Sequence, residues 1–270
     1  MSKPETITYI AGVARSGTSW LGQLFDSSPH VRFSFQPLFS YEFKNRVNED
    51  SSSDEFRRLM DDIYNTKSSF LNQNDKRDSG EYSVFEKESA TPHLVFKENR
   101  YQNLIEPMMR KCLEVKLVAI IRNPNAVLNS WMKNPKEFPP ESYPLTEWRY
   151  GDCKNEGHED FFGYYKWKEV TNLYLDLYDK WPDRVYVLRY EGLVESPQET
   201  VKELFAFCGV DENEQTNHFI RRSSSSHTDS LYSVFKDKRV ISQWRHELDP
   251  YITTEIAHDL VGTRLERFIL

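Results

Sequence analysis

The hydrophobic positions of this chain fall in short runs separated by stretches of helical period. Ile7-Thr8-Tyr9-Ile10-Ala11 has the length and apolarity of a buried strand. After a glycine-containing turn, Ser19-Trp20-Leu21-Gly22-Gln23-Leu24-Phe25 has the spacing of an amphipathic helix. Val31 to Phe35, Leu94 to Lys97, Lys116 to Arg122 and Arg184 to Tyr190 read as further strands, each followed by helical pattern. This alternation predicts an α/β fold, a parallel sheet flanked by helices. Ser196-Pro197-Gln198-Glu199 reads as a capping box with proline at the first helical position. The helix it opens is expected to run to about Cys208 and stop at Gly209. Glu255 to Leu270 reads as a closing helix followed by a strand or coil.

Two stretches break the alternation. Residues 44–92 are polar, with a helix predicted from Asp54 to Tyr64. Residues 133–160 are rich in proline and aromatics, including Phe138, Pro139, Pro140, Tyr143, Pro144, Trp148 and Tyr150. Loops of this length inside a compact domain are functional lids or disordered segments. They are expected to be substrate-side insertions in one domain covering residues 1–270, the second making the better substrate contact.

Composition narrows the class. A hydrophobic content of 38% with 14% aromatics supports a packed core. A net charge of −7 argues against a nucleic-acid partner. Cys112, Cys153 and Cys208 are widely separated, which fits reduced thiols in a cytoplasmic protein. Neither they nor His158, His218, His227, His246 and His258 show metal-ligand spacing. No segment approaches the apolar length of a membrane span, and no leader is expected ahead of the first strand.

The chemistry concentrates in Gly12-Val13-Ala14-Arg15-Ser16-Gly17-Thr18-Ser19-Trp20. Strand, glycine turn and helix together make a phosphate cradle, because turn amides and the positive end of the helix dipole face one anion. The Gly12-x4-Gly17 spacing matches the nucleotide P-loop, yet Thr18 stands where its lysine belongs. The cation comes earlier, as Arg15, so the cradle suits a different anion from that of a kinase. A second constellation is Arg122-Asn123-Pro124-x5-Ser130. Arg122 ends a strand, Asn123 can cap a helix and Pro124 suits its first turn. Parallel sheets gather ligands at the carboxyl ends of their strands, where Arg122 would stand beside the first loop.

In order along the chain, these two motifs resemble the phosphate-binding motifs of the PAPS-dependent sulfotransferases. Leu188-Arg189-Tyr190-Glu191-Gly192-Leu193, followed by Ser196-Pro197, is similar to the family's stretch before a helix. Lys236 to Arg245 resembles its basic, tryptophan-containing nucleotide cover. The resemblance runs the length of the chain and is poorest in the insertions. Arg15 in place of lysine, and Leu24-Phe25 leading to Pro29-His30-Val31, look more like the carbohydrate and protein-tyrosine branches.

The resemblance implies a P-loop-containing fold that uses 3′-phosphoadenosine 5′-phosphosulfate (PAPS) as co-substrate. The acceptor would be a hydroxyl of a glycan or other small metabolite, and no metal is expected. Arg15, Ser16, Gly17, Thr18, Ser19 and Trp20 would hold the 5′-phosphosulfate, and Arg122 and Ser130 the 3′-phosphate. Tyr190 would lie near the adenine, with Lys238, Arg239, Trp244 and Arg245 over the nucleotide; the serines 223–226 fall in a region that touches it. Lys97 matches a family lysine that helps neutralise the leaving group. The general base departs from the pattern. Gln36 and Asn99 stand at its two usual places, and amides cannot take a proton. Glu98, Glu42 and His93 are the substitutes in sequence. A catalytically silent homologue is the alternative function, and a P-loop kinase the more distant one.

Overall fold

A computed structural model describes residues 3–89, 91–225 and 238–269. Its centre is a five-stranded sheet: β1 (Thr6–Ala11), β2 (Val31–Phe35), β3 (His93–Glu98), β4 (Val115–Ile121) and β5 (Val185–Arg189). The spatial order is β2-β3-β1-β4-β5, and all neighbours are parallel. Each strand predicted from its apolar run is present, within a residue or so of its expected ends.

Period-two alternation buries both faces. Tyr9, Ala11, Leu94, Phe96 and Leu117 face one layer, with Phe56, Met60, Ile105, Trp131, Trp167 and Tyr174. Ile10, Val95, Val118 and Ile120 face the other, against Leu21, Leu24, Phe25, Leu204 and Phe205. Burying each such large side chain contributes roughly 1.5–3 kcal/mol, so these two layers fix the sheet. Because every strand runs the same way, the residues after Ala11, Glu98, Ile121 and Arg189 meet at one edge. β1 lies centrally, with β3 and β4 on its flanks.

Three sequence expectations need correction. Ser196 makes no side-chain cap. It also ends the preceding helix Tyr190–Glu195, with its amide on the Gly192 carbonyl, so that helix sets its backbone. The last helix runs over Pro250–Leu260, opened by an Asp249 cap on the Tyr251 amide. The described tail closes in a 3-10 turn at Glu266–Phe268 rather than a strand. Residues 44–92 hold more than one helix. A capping box between Ser52 and Glu55 opens Ser53–Asn65, and the short helices Ser69–Asn72 and Asn74–Asp78 follow. No helix among the described residues is long and apolar enough to cross a membrane.

Candidate functional site

The loop between Ala11 and Thr18 is shaped by its two glycines. A Cβ on Gly12 would stand 2.8 Å from Ile120 Cγ2 and from Thr18 Cγ2. Gly17 adopts φ 93°, and a Cβ there would lie 2.3 Å from the Tyr190 ring. The loop is therefore pressed between β4 and Tyr190, an approach only glycine permits. Gly17 also begins the helix Thr18–Asp26 with no side chain capping it. The leading amides of that helix are left for an anion. Ser16 points inward with its Oγ buried and without a hydrogen-bond partner, a second unfilled polar group in the cradle.

Arg15 and Arg122 lock this loop to the end of β4. Arg15 also has a left-handed backbone, φ 71°. Its Nε donates to Ser130 Oγ at 3.0 Å. Ser130 is presented by the helix Pro124–Met132, which Asn123 caps by accepting from the Asn125 amide at 2.9 Å. Arg122 donates through Nη1 to the Arg15 carbonyl at 2.9 Å and through Nη2 to the Val240 carbonyl at 2.8 Å. Its guanidinium lies 4.6 Å over the Tyr190 ring, and its Nε is buried without a partner. Its own backbone is held where the Trp167 indole donates to the Arg122 carbonyl at 3.0 Å. Burial lowers the affinity of Arg122 for its proton, although it stays charged. A dry cation with an unpaired donor suits a bound anion.

On the other flank, β3 delivers Lys97. It is 1% exposed, with Nζ 4.4 Å over the Phe35 ring. Burial pushes its pKa down to about 7. The charges of Glu98 and Glu137 pull it back up, and those of Lys76 and Arg15 press it down. Asn99 follows, and its Oδ1 accepts from Thr18 Oγ1 at 2.8 Å. Phe35 packs edge-on to Phe70 at 5.6 Å, and Phe39 lies 6.5 Å from Phe70. Phe39 and Phe70 are both partly open to solvent, which makes an aromatic shelf beside Lys97. The first insertion supplies Phe70, a contribution its polar composition did not announce.

Three sequence candidates for the base are placed elsewhere. Glu98 is fully buried on the Tyr9 and Phe96 side of β3, the opposite pleat from Lys97. Its Oε1 accepts from the Leu38 amide at 2.6 Å, and burial pushes its pKa up to about 8. A carboxyl that holds its proton at neutral pH is a poor base. His93 begins β3, roughly 13 Å of strand from Lys97. Its Nδ1 lies 2.6 Å from Thr6 Oγ1. Glu42 is exposed and accepts from Thr66 Oγ1 at 2.9 Å. Gln36 has φ 44°, and its amide donates to the Lys97 carbonyl at 2.8 Å.

The late segment divides in the same way. Trp244 is a core residue whose indole donates to the Ile241 carbonyl at 3.0 Å, so it supports the segment rather than covering a ligand. Lys238 and Arg239 are exposed, and Lys238 Nζ reaches the Glu195 carbonyl at 3.3 Å. Arg245 stacks 4.8 Å over Trp244 and, with Asn123, Arg189, Glu191 and Ser242, lines a cavity of about 290 Å3. Trp20 packs edge-on to Tyr190 at 6.5 Å and donates to Ser223 Oγ at 3.1 Å. Ser223 belongs to the helix Glu214–Ser225. Ser19 is half-buried in the first turn after the loop. Ser226, His227, Lys236, Asp237 and Leu270 lie outside the described residues.

Sequence reasoning missed Glu137. It sits in the second insertion with its Oε2 4.0 Å from Arg15 Nη1. Its only signal was the expectation that this insertion meets the substrate.

Residues 5–264 match a family model described as a sulfotransferase domain. No curated protein matches the sequence. Among solved structures, the chain is similar to mouse sulfotransferase SULT7A1 complexed with PAP, with a TM-score of 0.56 and 15% identity over 100% of this chain and 89% of that one. A sulfotransferase from Alicyclobacillus acidocaldarius gives a TM-score of 0.55 at 16% identity, covering 100% and 96%. Retinol dehydratase in a complex with retinol and PAP gives 0.56 at 15% identity, covering 98% and 84%. At these identities the likeness is one of fold.

Proposed function

The chain belongs to the sulfotransferase domain family, and from that membership we propose that it moves a sulfuryl group from PAPS to a hydroxyl of a carbohydrate or other small ring-bearing metabolite. The observation that carries the reading is the bond from Arg122 to the carbonyl of Arg15. It makes the family's two phosphate motifs one anion-binding unit, with Ser130 joined to it through Arg15.

The residues present fit the nucleotide. The uncapped helix start, the buried Ser16 hydroxyl and the unpaired Arg122 Nε are donors without protein acceptors. The nucleotide would bring the sulfuryl group, with its own 5′-phosphate as the leaving group from which that sulfuryl parts. Arg15 and the loop amides would hold the oxygen on which charge develops, and preorganised donors there are the largest lever on such a barrier. Lys97, dry and easily deprotonated, would gain its proton firmly once an anion lies beside it. The shelf of Phe35, Phe39 and Phe70 would take the face of the acceptor ring. A cytoplasmic setting, supported by three separate free cysteines, belongs to the same proposal.

Calorimetry with 3′-phosphoadenosine 5′-phosphate, together with labelled-sulfate transfer from PAPS to a panel of sugars and phenols, tests this. Binding with transfer is expected. Binding without transfer would favour the silent homologue, which the amides at Gln36 and Asn99 support. No binding at all would reject the reading.

A further inference from the structure

Resting on that function, we infer that Glu137 is the general base, taking the acceptor hydroxyl proton on its carboxylate at the face of Arg15. The reaction requires such a group, because an alcohol is a weak nucleophile. Both customary places hold amides. The oxygen of Asn99 is already engaged by Thr18, and Glu98, Glu42 and His93 face other surroundings.

Glu137 has the placement the others lack. Its Oε2 is buried and has no hydrogen-bond partner. It stands 4.0 Å from Arg15 Nη1, whereas a closed carboxylate–guanidinium bond is about 2.7–2.9 Å. The carboxylate thus faces the loop's cation without being bonded to it, and can accept a donor at that face. It also lies near enough to Lys97 to favour the charged ammonium. Glu137 therefore stands electrostatically between the two cations that flank the leaving oxygen.

The backbone under Glu137 is fixed, as a base requires. The Trp131 indole donates to the Glu137 carbonyl at 2.9 Å, and the Glu137 amide donates to the Asn134 carbonyl at 2.9 Å. Trp131 and Asn134 are buried, and Phe138 packs edge-on to Trp131 at 5.1 Å. This anchor continues from the helix that presents Ser130, so one element sets both Arg15 contacts.

The step balances. The acceptor oxygen forms a bond to sulfur as its proton passes to Glu137. The bond from sulfur to the bridging oxygen breaks, and that oxygen keeps the electron pair as a phosphate oxygen, beside Arg15 and Lys97. The proton on Glu137 is later lost to water.

The test compares wild type with Glu137→Gln. The amide keeps the size and one oxygen for Arg15, so binding of 3′-phosphoadenosine 5′-phosphate should change less than about twofold. Transfer to an alkyl alcohol or sugar should fall by about 10²–10⁴-fold, the range for a lost general base. The deficit should shrink for 2,4-dinitrophenol, which is largely ionised at neutral pH, relative to phenol. An equal deficit for every acceptor would assign Glu137 to positioning Arg15 and overturn the proposal, as would full activity in the variant. Wild type that fails to bind the nucleotide would overturn the functional reading itself. Wild type that binds and transfers while the variant matches it would overturn only the base.

Discussion

Arg15 Nε donates to Ser130 Oγ across 115 residues of chain, while the carbonyl of Arg15 accepts from Arg122. One residue is thus gripped at its side chain and its backbone by the same strand–helix unit. Its left-handed φ of 71° is a conformation that costs about 1–3 kcal/mol outside glycine. Those two contacts offset it and aim the guanidinium. Arg15→Ala is expected to lower kcat by at least about 10²-fold, the scale of one lost oxyanion donor. Ser130→Ala keeps the charge and loosens its aim, so its loss should be smaller. Steady-state transfer rates check this, and an unchanged kcat in Arg15→Ala would refute the charge-stabilising role.

Arg122 is expected to act chiefly on binding. Arg122→Ala should weaken 3′-phosphoadenosine 5′-phosphate by about 1.5–3 kcal/mol, the range for a hydrogen bond to a charged group. A nucleotide without the 3′-phosphate should lose less. Its loss should not vanish, because Arg122 also bonds the Arg15 and Val240 carbonyls and lies on Tyr190. Calorimetry with both nucleotides separates the two contributions. Equal losses would assign Arg122 wholly to holding the loop.

How far these arrangements are legible in sequence depends on their range. The strands announce themselves, since a run as short and apolar as Leu117–Ile121 has the length and composition of a strand buried on both faces. The Asn123 cap and the Gly209 stop are local chemistry and are equally readable. The pairing of Arg15 with Ser130 follows from two motifs lying at one sheet edge. What no local pattern encodes is how an insertion folds back. Glu137 reaches Arg15 only because the Trp131 indole holds its carbonyl, and Phe70 reaches Phe35 only through a short helix in a polar segment. Glu98 and Lys97 are neighbours in sequence, yet the pleat sends them to opposite faces. That alternation turns Glu98 from the Lys97 face, while Glu42 and His93 lie apart through their own contacts with Thr66 and Thr6.

Lys97 gives nucleotide binding a pH dependence. Its pKa of about 7 means the free protein loses this cation as pH rises past neutrality. A phosphate bound beside it favours the protonated form, so affinity should fall above pH 7, by up to about tenfold per unit. Phosphate monoesters have a second pKa near about 6 and are already ionised there, so they do not mask the trend. Calorimetry between about pH 6 and 9 should also register proton uptake on binding above neutrality. Lys97→Met should bind more weakly and lose the slope. A wild-type affinity that stays level across the range would place Lys97 away from the phosphate.

Glu98 makes the opposite statement about the fold itself. Its pKa rises from an ordinary 4.5 to about 8, because burial opposes the charge more than the Leu38 amide and Lys97 favour it. Between those values the folded chain holds a proton that the unfolded chain has released. Stability must therefore fall as pH rises through this window, by at most about 1.4 kcal/mol per unit. Lys97, whose pKa is lowered, contributes the reverse slope, and only above about 7, where the folded state begins to bind fewer protons. Glu98→Gln keeps an oxygen for the Leu38 amide at the same place and has no charge to bury. Its urea-unfolding free energy should converge with that of wild type toward about pH 5 and exceed it increasingly toward about pH 7. Groups remote from Glu98 are common to both proteins and cancel in the difference. Parallel curves for the two would mean that Glu98 ionises within the fold without penalty, and would refute this account of its burial.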